Sequence, residues 1–137
     1  ARRRHPDREV VCLAGDGCLQ MTVAELSTAA QLDLGLVVLV VNNGRYGTIR
    51  MHQERSYPGR VSGTDLFLPD IPTLARAYGG AGWRVTETAS FAPALSEARA
   101  TAATGRIAML DLVTDPQALS TAQTLDAARA AGESRRR

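Results

Sequence analysis

Lysine is missing altogether, since all sixteen basic residues are arginine. A chain without lysine can form neither a Walker phosphate loop nor a lysine Schiff base. Cysteine is nearly as scarce: Cys12 and Cys18 are the only two. They are spaced neither as a CxxC metal knuckle nor as a disulfide framework. Cys12 is therefore expected as a small buried hydrophobe, and a reducing, cytoplasmic setting fits best. Aromatic residues are 4% of the chain, and Trp83, the single tryptophan, is expected to serve packing. No apolar run approaches the length of a membrane span, and no export signal is visible at the start. The net charge of +2 is too small to argue for nucleic acid. Arg2–Arg4 and Arg135–Arg137 form basic clusters at the two ends, where solvated, mobile termini are expected.

What is present is concentrated between Gly15 and Arg45. Gly15-Asp16-Gly17 is followed by twenty-four residues and then by Asn42-Asn43-Gly44-Arg45. A short apolar run, Val10 to Ala14, precedes the first cluster, and a longer one, Leu36 to Val41, precedes the second. Both runs are continuous and β-branched rather than alternating, which predicts buried parallel strands. Between them, Val23, Leu26, Ala30 and Leu34 have helical spacing, with Ser27, Thr28 and Gln31 turned away, so a helix is expected over Thr22 to Leu34. Thr22 and Glu25 are spaced as a capping box, with Met21 and Leu26 as its hydrophobic staple. That capping geometry would make Glu25 structural.

A strand–helix–strand unit with a right-handed crossover sets both strand C-termini on one edge of the sheet. Ligands bind at that edge in open α/β sheets. Asp16 and Asn43 each lie just past a strand end and can converge there. Magnesium takes oxygen ligands in near-octahedral array, with only one or two from protein side chains and the rest from phosphates and water. The carboxylate of Asp16, the amide oxygen of Asn43 and a nearby backbone carbonyl suit that habit. Gly15 and Gly17 would let the backbone approach a phosphate, and the following helix would add its positive end. In a competing reading, Asp16-Gly17 is a plain turn and Asn43-Gly44 a hairpin that pairs Val37–Val41 with Tyr46–Met51. Arg45, Gly47, Arg50 and His52 make a poor second strand.

Gly-Asp-Gly, this spacer and the closing Asn-Asn resemble the signature of thiamine diphosphate enzymes, in particular the diphosphate-binding domain of the acetolactate synthase and pyruvate decarboxylase group. The similarity extends through Tyr46-Gly47-Thr48-Ile49-Arg50, Pro58-Gly59-Arg60 and Leu74 to Gly79, up to a last strand near Ile107 to Val113. It covers roughly residues 6 to 120. The resemblance implies that Asp16 and Asn43 bind Mg2+ through their side chains and Arg45 through its carbonyl. It implies that Gly15, Gly17 and Cys18 approach the diphosphate, and that Thr48 and Ile49 border the reactive end of the cofactor. The implied activity is 2-oxo acid chemistry, by decarboxylation and carboligation. Where Ile49 stands, pyruvate decarboxylases are expected to carry an acidic residue, so the synthase-like branch is favoured over a simple decarboxylase.

The resemblance also implies a second domain, contributed by another subunit of a homo-oligomer, that carries the glutamate activating the cofactor. No residue of this chain matches it, and only about a dozen residues precede Gly15, where the family has a further helix and segment. The chain therefore reads as the C-terminal piece of a longer enzyme, inactive alone. The alternatives are a 2-oxo acid decarboxylase part, a binding or assembly module without turnover, and a poorly folding remnant.

Downstream, a short helix is expected near Thr48 to Arg55 and a loop over Ser56 to Pro69. His52, Gln53, Arg55 and Tyr57 are the polar candidates for substrate contact there. Ile71 to Tyr78 reads as a helix opened by Pro72 and closed by Gly79-Gly80. Gly82 to Thr86 reads as a strand, Ser90 to Ala103 as a helix and Ile107 to Val113 as a strand. Ala118 to Ala131 reads as a terminal helix. The alternation predicts an α/β fold, an open doubly wound, mostly parallel sheet with helices on both faces. The diphosphate-binding domain is assigned to residues 1–120 and a helix or tail to 121–137.

Overall fold

The structure, a computed structural model, describes residues 1–136. Arg137, the last residue of the C-terminal basic cluster, lies outside the described residues. The chain divides into two compact units, one formed by Ala1–Asn42 with Leu68–Val113, the other by Asn43–Phe67 with the chain from Thr114 on.

The first unit is a four-stranded sheet of β1 (Val11–Gly15), β2 (Leu36–Asn42), β3 (Ala81–Val85) and β4 (Ile107–Val113), in the order β1-β2-β4-β3. All three pairings are parallel. The helices are α1 (Asp16–Thr22), α2 (Glu25–Gln31), α4 (Ile71–Ala77) and α5 (Phe91–Ala103), the last preceded by a 3-10 turn over Thr88–Ser90. Leu19, Leu26, Ala29, Ile71 and Ala75 pack with Val38, Val40, Ile107 and Met109 on one face of the sheet. On the other face Ala94, Ala98 and Ala102 of α5 pack against Val37, Val85, Ala108 and Leu110. The alanines recur every four residues, so one small-residue stripe of α5 lies on the strands. Helices therefore cover both faces of a parallel sheet, as the alternation predicts.

Two expectations fail at β1. That strand is an edge, and the α5 stripe packs on the β2, β4 and β3 strands rather than on it. Val11 is 50% and Leu13 70% exposed, and Cys12 is exposed rather than buried. Leu13→Thr is accordingly expected to change the unfolding free energy of the chain by less than about 0.5 kcal/mol, read from urea unfolding, because a side chain this open loses little on replacement.

The crossover helix also differs. It starts at Asp16, directly after β1, and splits at Val23-Ala24, both in αR geometry. Thr22 thus ends α1 instead of capping a helix, α2 has no side-chain cap, and Met21 is 70% exposed, so there is no capping box or staple. Glu25 accepts a hydrogen bond from the Thr28 hydroxyl at 3.2 Å. The apolar spacing was set by the sheet face, which both short helices share.

α4 has a side-chain cap at Asp70, beside the Pro72 of its first turn. Asp70 accepts the backbone N–H of Thr73 at 2.8 Å. Thr73 hydrogen bonds, side chain first and then backbone, hold the Asp70 carboxyl below its usual range, with Arg84 and Arg76 adding to the effect.

The second unit holds α3 (Gly47–Ser56), a small antiparallel pair of β5 (Ala118–Ser120) with β6 (Gln123–Thr124), and α6 (Leu125–Ser134). The expected helix over Ala118 to Ala131 is thus a hairpin followed by a helix, which starts where Thr124 caps the N–H of Ala127 at 3.2 Å. Leu125, Ala128 and Gly132 form the buried face of α6. A Cβ on Gly132 would stand 2.6 Å from the Glu54 carbonyl oxygen, so α6 meets α3 at backbone distance. Among the described residues no helix is long and apolar enough to cross a membrane.

Candidate functional site

In the sheet unit the Gly15–Cys18 group sits at the C-terminal end of β1, the ligand edge of an open α/β sheet. Gly15 pairs with Val41 of β2, so Asp16 stands level with the end of the neighbouring strand. Asp16 is 4% exposed, and its Oδ1 accepts the N–H of Gly17 at 2.7 Å. Gly17 is also buried, whereas Cys18 is exposed. A Cβ on Gly15 would meet nothing closer than the Cys18 sulfur at 3.8 Å, so that side of the backbone is open.

The Asn43–Ile49 group belongs to the second unit. No hairpin forms, because β2 runs parallel to both neighbours and Gly47 begins a helix. The Asn43 amide oxygen accepts the N–H of Arg45 at 3.1 Å, an Asx turn closed over Gly44. Gly44 has φ +68, a left-handed conformation that glycine adopts without a Cβ penalty. A Cβ on Gly47 would come within 2.9 Å of Asn43 Nδ2, so glycine there gives the Asn43 side chain its place beside the start of α3. The turn is strapped from one side. Leu66 donates to the Gly44 carbonyl at 2.8 Å, Tyr46 donates to the Thr64 carbonyl at 2.8 Å, and Arg45 bridges Asp65. Thr48 and Ile49 are exposed in the first turn of α3. Nε of Arg45 is a buried side-chain donor with no hydrogen-bond partner.

Of the polar candidates of the expected substrate loop, Gln53 and Arg55 bond to neighbours in the second unit. Gln53 bonds the backbone of Ser62 at 2.7 and 3.3 Å, and Arg55 donates to Gln123 at 3.0 Å. The ring of Tyr57 carries Arg136 at 5.6 Å and Arg60 at 6.0 Å. His52 is exposed in the middle of α3.

Two buried carboxylates escaped the sequence reading. Glu54, fully buried, accepts from Arg50 at 3.0 Å, from Arg129 at 2.9 and 2.7 Å, and from the N–H of Gly59 at 3.0 Å. Its carboxyl is lowered to about 2, chiefly by the Arg129 hydrogen bond and against the upward push of burial. Asp111, fully buried in β4, accepts from Asn42 Nδ2 at 2.7 Å and from Arg84 Nε at 3.0 Å. Arg84 also pairs with Asp70 at 2.9 Å, and its guanidinium is held more basic than usual, first by the Asp111 hydrogen bond. A visible signal existed for Asp111, an acidic residue alone between Leu110 and Leu112 in an apolar strand.

The family model of the thiamine pyrophosphate enzyme C-terminal TPP-binding domain matches residues 1–112. The acetolactate synthase large subunit of Corynebacterium glutamicum is 39% identical over 72% of this chain. The acetolactate synthase isozyme 3 large subunit of Escherichia coli is 37% identical over 80% of it. The chain spans 17 and 19% of the length of these two relatives. Among solved structures, the thiamine diphosphate-dependent 4-hydroxybenzoylformate decarboxylase of Rhodococcus jostii superposes with a TM-score of 0.74 at 30% identity, over 84% of this chain and 21% of that one.

Proposed function

Because this chain belongs to the family of thiamine pyrophosphate enzyme C-terminal TPP-binding domains, we propose that it holds the diphosphate end of thiamine diphosphate through Mg2+, as part of an acetolactate-synthase-like enzyme acting on 2-oxo acids. The observation that carries this reading is Asp16, a carboxylate 4% exposed at the ligand edge of a parallel sheet, flanked by two glycines.

The donors suit the ion. Mg2+ prefers hard oxygen ligands and takes few from the protein. Asp16 and Asn43 supply a carboxylate and an amide oxygen, and the Arg45 carbonyl supplies a third oxygen. Among the described residues no cluster of three or more His, Cys, Asp or Glu could hold a metal. A donor set of one carboxylate and two neutral oxygens leaves the remaining positions of the ion to phosphate oxygens and water. The open side of Gly15, with Gly17 and Cys18, would receive the diphosphate, and Thr48 and Ile49 would face the reactive end. Bound there, the cofactor would supply the nucleophile and electron sink for 2-oxo acids. The residues of this chain contribute anchoring and charge neutralisation, and the activating glutamate comes from a separate domain. The synthase branch is favoured by the relatives, which are acetolactate synthase large subunits. The decarboxylase reading has one supporting observation, the structural likeness to a decarboxylase.

The test is calorimetric titration of the chain with thiamine diphosphate in Mg2+ and in EDTA, beside Asp16→Ala. Mg2+-dependent binding weakened at least about 100-fold by the substitution is expected, because a carboxylate bound to the ion itself is worth more than the residues bonded behind a ligand, whose loss costs about 10- to 100-fold. Binding of equal strength in EDTA, or in Asp16→Ala, would sink the metal reading.

A further inference from the structure

Asn43 follows directly on the end of β2, so whatever fixes that end also sets where Asn43 begins. Asn42 is the last residue of that strand, and its side chain lies on the same face as Val40. Asp111 is paired across from Val40, also on that face, so its carboxylate reaches Asn42 diagonally. A carboxylate only accepts hydrogen bonds, so the Asn42 atom 2.7 Å away is the amide nitrogen, and the flip of the amide is determined. Behind Asp111 the bonds continue outward. Arg84 of β3 holds the second carboxylate oxygen at 3.0 Å and reaches Asp70, the cap of α4, at 2.9 Å. The bonds run continuously from the α4 cap through β3 and β4 to the tip of β2. They cross the upper part of the sheet, with Asp111 fully buried and Asn42 half-buried.

We propose that Asp111 is a positioning residue for the metal end of the site: held by Arg84, it locks the Asn42 side chain and so fixes the point at which β2 hands the chain to Asn43. This rests on Asn43 being a metal ligand. Asp111 touches neither metal nor cofactor in this role and acts through Asn42. An asparagine at 111 that keeps its oxygen on Arg84 turns an NH2 group toward Asn42 Nδ2, so the Asn42 amide loses the acceptor that fixes its orientation and must turn over.

The test uses Mn2+ as the probe, in the presence of thiamine diphosphate, with free Mn2+ read by electron paramagnetic resonance. Asp111→Asn is expected to weaken Mn2+ binding about 5- to 10-fold, less than the about 10- to 100-fold lost with a residue bonded directly to a metal ligand, because Asp111 acts through Asn42. Combined with Asn42→Ala it should weaken binding no further than Asn42→Ala alone, since the two act in series. Ala98→Gly, in the α5 stripe on the opposite face, lowers stability without touching the network and should leave the affinity unchanged. An unchanged affinity in Asp111→Asn, or losses that add, overturns the proposal. If Asp111→Asn does not fold, Asn42→Ala cuts the same link from the other side, and an unchanged affinity there is equally fatal. Asp16→Ala separates the two readings: Mn2+ binding that survives it rejects the site, whereas binding that needs Asp16 but ignores Asp111 rejects the positioning alone. If the wild-type chain binds no Mn2+, nuclear magnetic relaxation of the Asn43 amide decides, because Asp111→Asn should lower its order parameter and an equal value overturns the positioning.

Discussion

Glu54→Ala is expected to destabilise the second unit by about 3 kcal/mol at pH 7, the lower end of the range for breaking a buried ion pair by removing one partner. The loss is large because Arg50 and Arg129 lose their nearest carboxylate together, and Arg50 keeps only the exposed Asp65 at 3.7 Å and the Thr64 hydroxyl at 3.4 Å. Arg50 lies 13% exposed at its side chain and Arg129 39%, so the two guanidinium groups that lose their acceptor are partly and unequally desolvated. The more exposed Arg129 recovers some hydration, which keeps the figure at the low end. Replacing all three residues by apolar ones of similar volume is a different operation. It removes the buried charges together, and such swaps are often neutral or stabilising.

The same carboxylate sets a pH dependence. Its folded-state value of about 2 stands below the ordinary 4.5, so the unfolded chain binds the proton more readily and acid favours unfolding. The stabilisation is complete above about pH 4.5 and is lost as the pH falls through 2, a total of about 3 kcal/mol for a shift of this size. Urea unfolding followed from pH 6 to pH 2.5 should show this decline in the wild-type chain and a flatter profile in Glu54→Gln. Parallel profiles would assign the acid sensitivity to other carboxylates.

The physical origin of these features explains what the sequence could reveal. Strands β2 and β4 were legible because a seven-residue β-branched or apolar run between turn residues has few other uses, and the bounds Leu36 and Ile107–Val113 agree with it. The Gly15-Asp16-Gly17 and Asn43-Gly44 clusters were legible as strand ends for the same reason. What a run cannot reveal is its place in the sheet. The β1 strand has the composition of an interior strand yet lies at the edge with Leu13 open, because burial of β1 depends on what lies beside it. Glu54 shows a second limit. The Arg50–Glu54 spacing of four residues was visible in the chain, but an i,i+4 pair on a helix is normally a solvent-exposed feature worth a few tenths of a kcal/mol. Its deep burial comes from Arg129, seventy-five residues away. Asp111 and Asn42, sixty-nine residues apart, are a pair of the same kind. Long-range polar pairs leave no period to read.

Gly35→Ala is expected to cost more than about 3 kcal/mol and to lower the melting temperature of the sheet unit by about 15 °C or more. Nothing in the backbone angles demands glycine here, since Gly35 is not among the glycines with positive φ. Space demands it. A Cβ would lie 1.8 Å from the carbonyl oxygen of Ala102 and 2.8 Å from its carbonyl carbon, and both are backbone atoms that cannot rotate away. The approach is reciprocal, because a Cβ on Gly105 would come within 3.1 Å of the Asp33 carbonyl oxygen, and Gly105 has φ +86 besides. The turn entering β2 and the turn leaving α5 therefore interlock through paired glycines. That contact sets the starting register of β2 and β4, where Leu36 pairs with Ile107. A methyl group at 35 must push α5 from the sheet or shift the start of β2, and Ala98 and Ala102 are packed too closely to yield. Thermal unfolding of Gly35→Ala beside Gly63→Ala, where a Cβ meets nothing within 4 Å and only a φ of +61 opposes it, separates the two causes. The steric account requires the loss at 35 to exceed the loss at 63 by at least about 1–2 kcal/mol, since conformational strain alone costs about 1 kcal/mol. Equal losses would place the requirement at Gly35 in the backbone rather than in the packing.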